Sequence, residues 1–203
     1  MLLRRDSAME INRCLKCMTE LAPDAVVCPK CGTRVGEIKK LPVALAPETI
    51  LHGKYYVGSV LGQGGFGITY IGFDLLLDIP VAIKEYFPSS IASRSGNTIQ
   101  WHTASTQRKE GFDSFLKEAR KLAKLKNVPS VVGVQDVFIE NDTAYIVMEY
   151  VEGETLENKL RREGVMRPED CFALLRPIME DMGRVHEAGI IHRAIKPDNI
   201  MIH

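Results

Sequence analysis

The sequence predicts an α+β fold, in which an antiparallel sheet with one helix precedes a group of helices, behind a small cysteine-rich module. Three observations predict it. Runs of β-branched and aromatic residues are concentrated between residues 55 and 150, apolar residues recur at helical spacing in residues 112–126 and 168–188, and four cysteines lie within the first 31 residues. Strands that precede helices, rather than alternate with them, are typical of α+β domains.

The composition argues against several classes of protein. Basic and acidic residues number 26 each, so no net charge favours nucleic acid or an anionic membrane. No apolar run approaches the roughly 18 to 20 residues that a transmembrane helix needs. Residues 1–6 become charged too early for a signal peptide. We therefore expect a cytoplasmic protein with no nucleic-acid partner and no membrane segment in this chain; an anchor beyond residue 203 stays open.

The chain divides into three predicted segments. Residues 12–33 hold the cysteine module. Residues 34–53 lack sustained periodicity and contain Pro42 and Pro47, which predicts a linker. Residues 54–203 form the main domain.

The cysteine module predicts a zinc site at Cys14, Cys17, Cys28 and Cys31. Two CxxC pairs each aim two thiolates at one ion, and together they complete a tetrahedral sulfur site that suits Zn²⁺. The module looks like a zinc ribbon. It either recognises a protein partner or uses zinc only to fold a segment too short to build a core. Iron at the same ligands stays open, and a redox role is disfavoured because one closed site uses all four thiolates.

Strands and helices of the main domain follow from residue type and period. Pro168 suits the first turn of a helix, Gly189 suits its C-cap, and Pro177 should kink it or, alternatively, break it. The predicted strands are residues 55–61, 68–73, 81–83, 131–139 and 143–150, and the predicted helices are residues 112–126 and 168–188.

A glycine-rich loop separates the first two predicted strands. Gly62, Gly64 and Gly67 form a GxGxxG pattern, in which glycine lets the backbone come close to phosphates. The pattern alone is weak, because it also opens helices in dinucleotide-binding folds. Here the β-prone residues 68–70 follow it, which favours a hairpin lid.

Lys84 ends the short apolar strand formed by residues 81–83. A lysine there needs an anionic partner unless it is simply solvated. Glu118 lies on the same predicted helix face as the apolar Phe115, which makes it the expected partner. Glu110 is the weaker alternative.

Two further motifs complete a recognisable order. Residues 148–153 (MEYVEG) end a strand at a glycine turn, and residues 192–199 (HRAIKPDN) match an HRDxKxxN loop at every defined position but one. With the glycine loop and Lys84, these motifs resemble those of the protein kinase family. The individual residues within them resemble those of bacterial serine/threonine kinases of the eukaryotic type. The resemblance covers roughly residues 54–203. It implies a bilobal fold, with a five-stranded N-lobe sheet and one helix before a partial helical C-lobe.

The resemblance also implies a site that transfers phosphate from Mg-ATP to serine or threonine of a protein substrate. Lys84 would contact the α- and β-phosphates and pair with Glu118, Lys196 would neutralise the transferred phosphate, and Asn199 would hold Mg²⁺. Residues 148–153 would form the hinge, where backbone groups hydrogen-bond adenine. The implied cofactor-binding residues are Leu61, Gly62, Gly64, Gly65, Gly67, Ala82, Lys84, Met148, Glu149 and Val151.

The catalytic-base position departs from the family pattern. It holds Ala194, which cannot accept the proton of a substrate hydroxyl. Asp198 does not replace it, because active members already carry an aspartate there. The Asp-Phe-Gly segment that should follow is absent before residue 203. We expect little or no turnover, and favour a fragment of a longer kinase over a nucleotide- or partner-binding pseudokinase or a gene remnant.

The connection between the lysine strand and the first helix is unusually long. It covers residues 85–107 and contains Trp101 with several serines and threonines. This composition predicts a surface insertion, and a functional role stays open.

Overall fold

The computed structural model describes residues 11–38, 41–125, 127–187, 189–192 and 195–202. Its main feature is a six-stranded antiparallel sheet. The strands are β1 Ile50–Leu51, β2 Tyr55–Gly64, β3 Gly67–Asp74, β4 Ile79–Tyr86, β5 Ala92–Ser95, β6 Thr98–Trp101, β7 Val134–Glu140, β8 Thr143–Glu149, β9 Glu154–Thr155 and β10 Met201–Ile202. The main sheet has the order β1-β2-β3-β4-β8-β7, while β5 pairs with β6 and β9 with β10.

The helices are α1 Ser105–Ala123, α2 Leu156–Glu163 and α3 Pro168–Glu187, and Pro197–Asn199 form one 3-10 turn. Within the described part of the chain, no helix has both the length and the apolar character needed to cross a bilayer. The helices follow most of the strands along the chain, so the predicted α+β class and kinase-like fold are confirmed.

The hairpin across the glycine loop is confirmed. β2 and β3 pair antiparallel from Tyr55 opposite Asp74 to Gly64 opposite Gly67, so the loop opens a strand rather than a helix. The hairpin of β7 and β8 is also present, and its turn places Asn141 and Asp142 at φ +53° and +61°. The five predicted strands all form and belong to the main sheet, and the two-residue β1 is a sixth strand of this sheet that was not expected.

Helix α1 begins seven residues before its predicted start. Residues 105–111 are polar apart from one glycine, so they carry no apolar period that could have signalled the first two turns. The helix becomes amphipathic from Phe112 onward, where Phe115 and Ala119 are buried against the sheet. Its last residue is Ala123, three before the predicted end, and Lys126 lies outside the described residues.

Helix α3 runs without interruption through Pro177, so the alternative of a break there is wrong. Its predicted last residue, Ala188, lies outside the described residues. Gly189 has φ +70° and its N–H donates to the His186 carbonyl at 2.9 Å, while the Ile190 N–H donates to the Val185 carbonyl at 3.1 Å. This left-handed glycine is the predicted C-cap.

The main sheet has two covered faces, since successive side chains on a strand point to opposite sides. The helix face packs against α1 through Ile146 and Ala144 of β8. The opposite face is covered by the β5–β6 hairpin and is called the hairpin face. It carries the larger core, which includes Tyr70, Ile83 and Tyr145.

The β5–β6 hairpin corrects the prediction of a surface insertion for residues 85–107. Ala92 and Ile99 are buried in the core of the hairpin face. The Trp101 ring lies 5.7 Å from that of Tyr86 and 5.8 Å from that of Phe112. The insertion is therefore part of the N-lobe core. Its strands were hidden in the sequence because residues 92–101 hold few apolar side chains and because Arg94, whose side chain is only 3% exposed, has the polarity of a surface residue.

Much of the predicted linker also packs against the hairpin face. Leu45 and Leu51 are buried there, and β1 extends the sheet at its edge. The Leu45 backbone N–H donates to the Tyr70 hydroxyl at 3.0 Å. These apolar residues follow no regular period, which is why the sequence predicted a linker.

Candidate nucleotide site and metal centre

The glycine loop and Lys84 meet in one row across the sheet. Gly62 lies opposite Thr69, Thr69 lies opposite Lys84, and Lys84 lies opposite Ile146. Two residues along, Ala82 lies opposite Met148. Because alternate residues share a face, Ala82 and Lys84 point to the same side of the sheet as Thr69. The antiparallel register thus brings four predicted site residues, Gly62, Ala82, Lys84 and Met148, onto the helix face.

The glycines of the loop differ in what surrounds them. A Cβ at Gly62, Gly64 or Gly65 would meet no atom within 4 Å, whereas a Cβ at Gly67 would lie 2.4 Å from the Glu85 carbonyl oxygen. Gly67 is therefore required by the close approach of β4. The other three leave open space beside the hairpin, at whose turn Phe66 is exposed.

Lys84 and Glu118 form the ion pair that the sequence predicts. Lys84 Nζ lies 2.8 Å from Glu118 Oε1, and the two side chains are 31% and 51% exposed. The ammonium also lies 5.8 Å from the centre of the Phe115 ring. Glu110, the weaker alternative, is exposed on the same helix. The contact is observed, while the role of the pair toward nucleotide stays a prediction.

The predicted catalytic loop is described in part. Arg193 and Ala194 lie outside the described residues. Lys196 Nζ contacts Asp198 Oδ2 at 2.9 Å, next to the 3-10 turn that contains Asn199. The lysine expected to neutralise a phosphate therefore has a carboxylate partner in this conformation.

A cavity of about 730 Å³ joins the catalytic loop to the predicted hinge. Glu149, Val151 and Asn199 line it, together with α3 and the segment after the catalytic loop. Its walls do not include Lys84, Ala82 or any residue of the glycine loop among the described residues. The predicted site residues thus fall into two groups, one on the sheet and one on this cavity.

Sequence reasoning missed most of the lining of this cavity. Tyr150 lies between the predicted contacts Glu149 and Val151, and Met201 follows Asn199 by two positions. Residues of α3 and of the segment before β7 also line the cavity, and no motif of the sequence pointed to them.

The four predicted zinc ligands come together. Their sulfur atoms all lie within 4.8 Å of one another. The Cys14–Cys31 and Cys17–Cys28 sulfur pairs are each 3.6 Å apart. A tetrahedral site with Zn–S bonds of about 2.3 Å places its sulfurs about 3.8 Å apart, so the four residues fit zinc.

Two similar turns, the first and second knuckles, aim these sulfurs. In the first knuckle, the Met18 N–H donates to the Cys14 carbonyl at 2.7 Å; in the second, the Gly32 N–H donates to the Cys28 carbonyl at 3.0 Å. Met18 and Gly32 have φ +60° and +67°. Methionine thus occupies a left-handed position that the second knuckle gives to glycine.

The Cys14 and Cys31 thiols differ in proton affinity. Burial raises the pKa of Cys14 to about 12. Burial also acts to raise the pKa of Cys31, but hydrogen bonds with Thr33 and the neighbouring thiols lower it to about 6. Four thiolates so close together would repel one another, so they require a cation, and binding of a metal would release the thiol protons.

Comparisons with known proteins agree on the main domain. Residues 55–203 match the family model described as the protein kinase domain. The serine/threonine-protein kinase PknL of Mycobacterium tuberculosis is 35% identical over 155 residues, or 76% of this chain and 35% of PknL. The serine/threonine-protein kinase PrkC of Bacillus subtilis is 32% identical over 152 residues, or 75% of this chain and 21% of PrkC.

A solved structure, that of PpkA-294 in its apo form, has a TM-score of 0.70 at 32% identity. The match covers 79% of this chain and 58% of that one. This chain therefore spans at most about a third of the length of the two curated relatives named above.

Proposed function

The chain belongs to the protein kinase domain family, and we propose that it binds Mg-ATP on the helix face of its sheet. The relatives are named as serine/threonine kinases, so the substrate class we propose is a protein with a serine or threonine acceptor. We further propose that this sequence transfers phosphate slowly or not at all, because Ala194 stands where the proton acceptor should be.

The Lys84–Glu118 ion pair is the observation that carries the proposal. An ion pair this exposed contributes only about 0–1 kcal/mol to stability. Its stabilising effect alone therefore gives little reason to place two opposite charges between the sheet and α1. A lysine held by a carboxylate keeps further N–H donors for the oxygens of a phosphate. Glu118 would orient Lys84, and Lys84 would contact the nucleotide.

The predicted groups for the metal and the transferred phosphate belong to the catalytic loop. The amide oxygen of Asn199 is a ligand type that suits Mg²⁺, which when bound neutralises phosphate charge. Lys196 would turn from Asp198 toward the phosphate. These groups can hold and neutralise a nucleotide without Ala194, which affects only proton removal from the acceptor.

The test is calorimetric titration of Mg-ATP into the full chain and into Lys84→Met. We expect the variant to bind about tenfold more weakly or worse, since it loses a charge-assisted hydrogen bond. Lys117→Met is the matched control, because Lys117 is exposed on the same helix as Glu118. Equal affinity of Lys84→Met and the parent would favour the alternative, a partner-binding module that ignores nucleotide.

Radiolabelled ATP tests the second part of the proposal. Phosphate incorporation into a generic serine/threonine protein substrate should stay at the level of the Lys84→Met variant. Robust incorporation that Lys84→Met abolishes would overturn the expectation of slow transfer.

A further inference from the structure

The first zinc knuckle is docked on the helix face of the kinase sheet. Met18 is only 2% exposed and packs in one cluster with Tyr56, Ile71 and Phe73 of β2 and β3. Leu15 and the hinge residue Tyr150 pack against the same cluster. The side chain that replaces a knuckle glycine is therefore buried in the neighbouring domain.

Strand β2 is shaped to receive this knuckle. The pairing of β2 with β3 shifts register between Val57 and Val60, and in that interval the Ser59 N–H donates to the Leu15 carbonyl at 2.7 Å. A Cβ at the intervening Gly58 would lie 2.1 Å from Met18 Cε and 2.5 Å from that carbonyl. Only glycine leaves room for the knuckle, which thus takes over a backbone hydrogen bond at the irregular point of β2.

Charged contacts extend the docking to both sides. The Arg13 guanidinium lies 3.5 Å from the centre of the Phe73 ring and pairs with Asp78 at 3.0 Å. In the second knuckle, Lys30 Nζ contacts Glu152 Oε2 at 2.8 Å, two residues beyond Tyr150. The module thereby contacts both the strand that leads into the glycine loop and the predicted hinge, residues 148–153.

We propose that the zinc module stabilises the glycine-loop strand of the proposed nucleotide site in its own chain, a role that we call a brace. Met18, Leu15 and Gly58 are its positioning residues. Zinc folds the knuckle, the knuckle holds the irregular point of β2, and β2 continues within four residues to Gly62. Ile71, which packs on Met18, lies opposite Ala82, one of the predicted cofactor-binding residues. Zinc occupancy therefore controls the order of the glycine-loop strand. The link to nucleotide affinity rests on the proposed function, whereas the link to strand order does not.

Amide hydrogen exchange of the full chain, without nucleotide, tests the brace directly. Removing zinc with a chelator should raise the exchange rates of the amides in residues 59–64 by about tenfold or more. Without the folded knuckle, β2 can open locally without first breaking the docking contacts, so opening costs less free energy. The amides of Tyr145 and Val147, two fully buried residues of the inner strand β8, should keep their protection. Unchanged exchange at Ser59 after measured loss of zinc would overturn the proposal.

Two substitutions separate docking from metal binding. Met18→Gly gives the first knuckle the residue that the second already has at this φ, so it should retain one zinc per chain while losing the buried side chain. Gly58→Ala should undock the same contact from the kinase side, since its Cβ would meet a backbone oxygen. Val26→Ala is the control, because Val26 is exposed on the same module.

We expect both docking variants to bind zinc and to show the fast exchange of the chelated protein, with Mg-ATP affinity several-fold weaker than in the control. Normal exchange in a zinc-loaded Met18→Gly protein would overturn the brace. Fast exchange in a protein whose parent binds no Mg-ATP would leave the brace standing and remove the proposed nucleotide function instead.

Discussion

Lys84 and Glu85 are neighbours on β4, and each forms an ion pair on its own side of the sheet. The Lys84–Glu118 side chains are 31% and 51% exposed, whereas those of Arg94 and Glu85 are 3% and 0% exposed. The exposed pair leaves its charges open to a ligand. The buried pair leaves no charge accessible to a ligand, and it joins the β5–β6 hairpin to the core. The same chemical contact thus has a structural place on one face and the proposed nucleotide-binding role on the other, and the exposure of the side chains distinguishes the two pairs.

The buried pair belongs to a fully satisfied polar network. Glu85 accepts hydrogen bonds from the Tyr70 hydroxyl at 2.7 Å, from the Tyr145 hydroxyl at 3.0 Å and from Arg94 at 2.5 Å. Arg94 also donates to the carbonyls of Val43 and Asn97. The carboxylate of Glu85 therefore connects β4, the β5–β6 hairpin and the predicted linker segment, which contains Val43.

Arg94→Met should have the largest effect. It leaves a buried carboxylate without its cation, which typically costs about 3–5 kcal/mol in free energy of unfolding, measured by urea denaturation. Arg161→Met is the control, since Arg161 forms an exposed pair with Glu157 and its loss should cost under about 0.5 kcal/mol. A loss as small as the control's would show that the network is not structural.

The pH dependence of the stability lost in Arg94→Met gives a second test of the buried pair. Burial raises the pKa of Glu85 in the folded protein, against the lowering influence of Arg94 and the Tyr70 and Tyr145 hydroxyls. Removing Arg94 raises this pKa further. A carboxyl whose pKa is raised on folding favours the folded state below its unfolded pKa, and that stability is lost as pH rises through the folded value. The stability gap between parent and Arg94→Met should therefore narrow from pH 7.5 to pH 5.5, and a gap that widens would contradict this assignment.

Local patterns predicted the helix face better than the hairpin face. The glycine hairpin, the Lys84–Glu118 contact and the four cysteines follow from short spacings with a direct physical meaning. The β5–β6 hairpin could not be predicted, because the buried Arg94 has the polarity of a surface residue until Glu85 lies against it. The docking of the zinc module left one readable trace, which is Met18 in the position of Gly32. Its partner surface exists only after β2 and β3 have paired.

Lys84→Met should lower stability far less than Arg94→Met does, although the proposed function gives it a large effect on binding. Lys84 and Glu118 are open to solvent, so water replaces most of what the pair loses, and the free energy of unfolding should fall by under about 1 kcal/mol. Urea denaturation of Lys84→Met and Glu118→Gln would measure this. A loss of several kcal/mol would make the exposed pair structural like its neighbour, and weaker Mg-ATP binding by Lys84→Met would then follow from misfolding instead of from a missing phosphate contact.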